Sequence, residues 1–106
     1  MHVDLDIGHG ITLGGEISRV DIEAARGEYR AILLDAPASD WTRELRMPLI
    51  QIAMAQKFER DPSDVTVGFQ PIGGSRLSSH RFGSRALTAA MAEVTRITTV
   101  LRRELR

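Results

Sequence analysis

The sequence predicts an α/β fold, an α+β sandwich in which helices cover one mixed sheet. Three observations carry this. Two β-rich runs, Gly14–Glu23 and Tyr29–Asp35, are joined by the polar turn Ala24-Ala25-Arg26-Gly27-Glu28, the pattern of a hairpin. A helical stripe follows them, and a further β-branched run, Val65–Phe69, follows the stripe. A second, longer amphipathic stripe closes the chain. The expected order is β-β-β-α-β-α in a single domain spanning residues 1–106, a length that buries a core without covalent staples.

At the start, Val3, Leu5 and Ile7 alternate with His2, Asp4 and Asp6, which predicts a half-buried strand close to a sheet edge. Gly8-His9-Gly10 turns the chain into Ile11-Thr12-Leu13. Apolar positions are odd before Gly14-Gly15 and even after it (Val20, Ile22), so a β-bulge is expected at the glycine pair. The run Ala31-Ile32-Leu33-Leu34 is continuous enough to predict burial on both faces of the third strand. These three strands are expected to form a meander.

Pro37 stops that strand, and Ser39 or Asp40 is a candidate cap for a helix carrying Trp41, Leu45, Leu49, Ile52 and Ala53 at helical spacing. Pro48 falls inside this stripe, where it predicts a kink or a two-part helix. Asp61-Pro62-Ser63-Asp64 reads as a turn into the fourth strand, which a crossover through the helix allows to run parallel to the third. Residues 70–83 read as a Gly-, Ser- and Arg-rich loop. From Ser84 to about Arg103 runs a helix with an apolar seam of Leu87, Met91, Val94, Ile97 (or Thr98), Leu101 and Leu105.

Composition narrows the function. The chain has 14 basic and 14 acidic residues, but they are unevenly placed. Residues 1–40 hold eight acids and three bases; residues 70–106 hold seven bases and two acids. Such asymmetry suits contacts within the fold, head-to-tail association, or an anionic partner. Arg76, His80, Arg81, Arg85, Arg96, Arg102 and Arg103 are the candidate nucleic-acid or anion-binding set. Leu87, Met91, Val94 and Leu101 are the candidate oligomer interface, because the seam is longer than a small sheet covers. With no cysteine, disulfides and thiolate metal sites are excluded. No apolar run approaches the roughly 20 residues of a membrane span, so no membrane partner is expected, and a cytoplasmic location is the default.

Catalytic groupings are sparse. His2, Asp4 and Asp6 share a strand face and His9 follows, a donor set that could ligate a divalent ion; the same acids also protect an edge strand from pairing. Gly73–Ser84 precedes a helix, yet it lacks the Gly-Lys-Ser/Thr ending of a phosphate loop. No serine stands in a nucleophile elbow, and no cofactor is expected.

The central stretch resembles the PD-(D/E)XK nuclease superfamily, in particular RecB-type domains. Gly15-Glu16-Ile17-Ser18-Arg19-Val20-Asp21, Ile32-Leu33-Leu34-Asp35-Ala36-Pro37 and Leu45-Arg46-Met47-Pro48-Leu49-Ile50 look like its two motif strands and helix start, and Val65–Phe69 falls where its next strand does. The resemblance covers roughly residues 2–73. It implies two acids and a lysine that gather a divalent metal and an activated water. Here the first acid maps to Ser18, the lysine to Pro37, the helix glutamine to Arg46 and the tyrosine to Ile50; only Asp35 stays in place. The implied expectation is a non-catalytic scaffold that binds, as a homo-oligomer or part of a larger assembly, with nucleic acid touched by the basic C-terminal third. A pure assembly component and a small metal- or phosphate-dependent enzyme using Asp4, Asp6, His9 or the Ser75–Arg81 loop are the alternative readings.

Overall fold

The computed structural model describes residues 1–8, 11–23, 25–35, 44–71 and 77–104. The elements are β1 (His2–Gly8), β2 (Ile11–Glu16), β3 (Arg19–Glu23), β4 (Glu28–Asp35), α1 (Arg46–Lys57), β5 (Val65–Pro71), β6 (Ser78–His80) and α2 (Ser84–Glu104). The class is the α+β sandwich that the sequence predicts. The strand count is not: four strands precede α1, and the described strands form two sheets, β1-β2 and β3-β4-β5-β6.

The first half of the sheet system depends on a change of partner. β1 and β2 pair antiparallel through Gly14 and Gly15 without interruption, Val3 lying opposite Gly15 and Asp4 opposite Gly14. The expected bulge is therefore not at the glycine pair. Register shifts instead between Asp6 and Gly8, and the long strand breaks at Ile17-Ser18. There the Ile17 N–H donates to the Met1 carbonyl at 2.7 Å, and the next N–H, of Ser18, donates to the Ile32 carbonyl at 3.1 Å. Successive peptide groups on a strand point to opposite sides, so β1 and β4 flank one bent strand on its two edges. Ile17, 1% exposed, is buried at this bend.

The β3–β4 hairpin closes through the Arg26 N–H to the Glu23 carbonyl at 3.2 Å. Gly27 sits at φ +63°, and a β-carbon there would lie 2.5 Å from the Arg60 guanidinium, which donates to the Gly27 carbonyl. The positive φ favours glycine, and any side chain there would also displace the end of Arg60. Arg60 also lies over the Tyr29 ring, which packs on Phe58, so the turn is tied to the end of α1.

β4 pairs parallel to β5 with α1 between them, as the crossover reading requires. Ala31, Ile32 and Leu33 are buried on both faces, but Leu34 is 47% exposed, so the fully covered run stops one residue early. Residues 36–43, with Pro37, the proposed caps Ser39 and Asp40, and Trp41, lie outside the described residues. α1 begins at Arg46, which places Pro48 in its first turn. Amide groups there have no helical acceptor anyway, so Pro48 breaks nothing and the expected kink is not needed. The other end of α1 turns through Glu59 at φ +53°, with the Glu59 N–H to the Gln56 carbonyl and the Arg60 N–H to the Ala55 carbonyl satisfying two otherwise free acceptors.

α1 packs against β1, β4 and β5, and α2 lies on α1. One cluster joins Val3, Leu5, Ile17, Ala31, Ala53, Met54, Ala55 and Val65; a second joins Leu33, Met47, Val67, Phe69 and Phe82. The stretch expected as a loop over 70–83 is partly sheet. β5 runs on to Pro71, and β6 adds antiparallel to it, Gly68 facing Ser79. Three polar residues carry no alternation to betray a strand. Their pairing comes from the edge that β5 offers.

Candidate functional site

Of the positions that the nuclease resemblance singles out, the side chains of Ser18, Arg46 and Ile50 are described, and each makes contacts within the fold. The Ser18 hydroxyl, at the bend between β2 and β3, accepts the Leu34 N–H at 3.1 Å. It restores a bond that the break in the strand would otherwise leave unmade. Asp35 ends β4 opposite Pro71 of β5; its side chain, like Pro37, lies outside the description. Arg46 is exposed at the start of α1 and bonded to Glu44, and Ile50 packs between the two core clusters. Among the described residues no group of three or more His, Asp or Glu side chains is placed to hold a metal ion.

The His2 face of the β1–β2 hairpin shows why. His2 Nδ1 lies 2.9 Å from Glu16 Oε1 and Nε2 lies 2.8 Å from Asp4 Oδ1, with the amino group of Met1 3.8 Å from Glu16. Both ring nitrogens face carboxylates. The hydrogen bonds to Glu16 and then Asp4 raise the His2 pKa above its ordinary value. With Asp4 and Glu16 against its two nitrogens, the imidazole has no ring nitrogen turned to a further ligand. The arrangement is an exposed hydrogen-bonded triad across the hairpin. His9 lies outside the described residues, and Asp6, although exposed, has interactions of its own.

This triad has a pH signature. A folded pKa raised above the unfolded one stabilises the fold fully below the unfolded value, near 6.5, and the contribution disappears as pH rises through the folded pKa. His2→Gln is therefore expected to lower Tm in mildly acidic buffer and to leave it unchanged at alkaline pH. Thermal melts of both proteins across that range test this; a difference that grows with pH would refute it.

A cleft of about 330 Å³ opens between the β1–β2 hairpin and α1, lined by Val3, Leu5, Leu13, Leu49, Ile50 and Ala53, with Glu16 and Arg46 also on its wall. Glu16 is bound to His2, and Arg46 to Glu44. Both charged side chains on its wall are thus engaged with neighbours, and the remaining side chains of the lining are apolar.

The cationic set is divided by the fold. Arg81 reaches from the end of β6 toward Glu28 of β4, at 3.4 Å. His80 lies on β6, exposed and edge-on to Phe82 with ring centres 4.5 Å apart, rather than in a loop. Arg76 and the side chain of Arg102 lie outside the description. On α2 the pattern is coherent. At about 100° per residue, Arg85, Arg96 and Arg103 fall within roughly 20° of one another, and Val94 lies on the opposite side. All three arginines are exposed, while Val94 is 6% exposed. Arg96 is paired with Glu93; among the described residues Arg85 and Arg103 have no acidic partner. The small residues Ala89, Ala92 and Thr99, all exposed, separate the arginines.

The candidate oligomer seam is used inside the chain. Leu87 packs on the cluster around Met47 and Phe69, Met91 packs on that around Val3 and Met54, and Val94 is buried. The side chain of Leu101 is not described. What α2 leaves outside is the flank Ile97 and Val100, 36% and 45% exposed. The periodicity places Leu87, Met91 and Val94 on the packed side, whereas Ile97, which it also put in the seam, is exposed. No helix among the described residues is long and apolar enough to cross a membrane.

No family model, curated protein or solved structure matches the chain.

Proposed function

We propose that this domain is a non-catalytic binding module whose α2 outer face meets the phosphate backbone of a nucleic acid. The observation that carries the reading is the line Arg85-Arg96-Arg103 on the solvent side of α2. At a rise of 1.5 Å per residue it extends about 27 Å, long enough to touch several phosphates, and the intervening alanines and threonine let a backbone approach closely. The sequence of strands around it, an antiparallel β3–β4 pair, then α1, then a parallel β5, is compatible with a nuclease-like scaffold. Ser18, bonded to the Leu34 amide in place of an acid, supports a scaffold that binds without cutting.

The test is duplex DNA and duplex RNA binding followed by fluorescence anisotropy as salt is raised. Three phosphate contacts predict a log–log slope of about −2.7. Arg85→Gln, Arg96→Gln and Arg103→Gln together are expected to flatten that slope and abolish most of the affinity. Absence of binding at low ionic strength, or binding that the triple variant retains, would refute the reading.

A further inference from the structure

β3 is an edge strand. On one side it pairs with β4, and among the described residues no strand lies on its other side. Its ends show which peptide groups face outward. The Ser18 N–H joins Arg19 in meeting Ile32, and the Glu23 carbonyl is turned into the hairpin toward Arg26. Arg19, Asp21 and Glu23 thus direct their peptide groups to β4, and alternation turns those of Val20 and Ile22 to the open edge. Ile22 is 56% exposed, the highest value among the large apolar side chains described.

The strand Arg19-Val20-Asp21-Ile22-Glu23 is complementary to itself when reversed. Laid antiparallel about Asp21, a second copy places its Glu23 opposite Arg19 and its Arg19 opposite Glu23, with Val20 opposite Ile22 at both inner positions. We propose that a second copy of this chain binds here, β3 to β3, so that one sheet continues through a two-fold axis at Asp21. The peptide groups of Val20 and Ile22 are paired across the axis, and Ile22 is covered by Val20 of the second copy on the face that carries Tyr29. On the other face the reciprocal Arg19–Glu23 pairs form. Each Asp21 at the axis has its own Arg19 at 3.1 Å, which offsets the approach of two like charges. Met1, bonded to Ile17, occupies the edge just beyond Ser18, so a partner strand sliding that way meets it. A slip of one residue would reverse every face. This surface is separate from the arginine face of α2 and does not rest on it.

The reciprocal charge pairs supply the experiment. Arg19 and Glu23 are about half exposed, so reversing either should leave the fold intact, which circular dichroism verifies. Sedimentation of the wild-type chain over a range of concentrations is expected to show a monomer–dimer equilibrium. Arg19→Glu alone and Glu23→Arg alone are each expected to sediment as monomers, because like charges then meet at both ends. An equimolar mixture of the two folded variants is expected to regain the dimer, since every end again joins opposite charges. A wild-type chain that stays monomeric up to its solubility limit overturns the proposal. So does a dimer that both single variants retain, or a monomer that takes up an extended peptide at this edge instead.

Discussion

Replacing Gln51 by leucine is expected to destabilise the fold by about 3 kcal/mol or more, although the two side chains are close in size. Gln51 sits in α1 with no exposed surface. Its amide oxygen accepts the Phe82 N–H at 2.8 Å, and its amide nitrogen donates to the Phe82 carbonyl at 3.1 Å and the Pro62 carbonyl at 2.9 Å. One side chain thus satisfies three backbone groups on two segments, the 3-10 turn before β5 and the link from β6 to α2. Leucine leaves both Phe82 groups unpaired, at about 1–3 kcal/mol each where water cannot reach them, while the Pro62 carbonyl keeps the Val65 N–H. Urea unfolding measures the loss, and hydrogen exchange at the Phe82 amide locates it. A change below about 1 kcal/mol would show that water replaces the glutamine.

Val94→Asp is expected to cost about 3 kcal/mol or more, while Val100→Asp on the same helix stays within about 0.5 kcal/mol. Val94 is 6% exposed and faces inward; Val100 is 45% exposed. A carboxylate at position 94 must either be buried without a partner or lift α2 from its bed. Thermal melts of the two variants distinguish this arrangement from a seam that faces a partner. In the latter case Val94→Asp would dissociate an assembly and leave each subunit's melting temperature near that of the parent.

Both results turn on how residues are used rather than on what they are. Leu87, Met91 and Val94 announce an apolar stripe at helical spacing, and α2 occurs where the spacing puts it. Nothing in the stripe says whether α1 or another molecule covers it. Gln51 is silent for a related reason: a glutamine in an amphipathic helix reads as a surface residue until the segments that meet it, 31 positions away at Phe82, are brought alongside. β6 is hidden because Ser78-Ser79-His80 has neither β-branching nor alternation, and the bend at Ile17-Ser18 because both flanking runs are equally good strands. The arginine line on α2 could be read from periodicity, since the apolar stripe also defines its opposite side.

The sequence by itself determined the class of fold, the alternation of β1, the parallel return of β5 after α1, the extent of α2, and the lack of an acid at position 18 and a lysine at position 37. These depend on local periods and residue identities, which act over a few residues. Tertiary structure alone decided that one long strand serves two partners, that His2 is held between Glu16 and Asp4, that α2 turns Leu87, Met91 and Val94 toward the core clusters, and that among the described residues β3 has no strand on its outer side. Each of these is a choice among partners distant in the chain, and it is made by which surfaces the packed core leaves within reach.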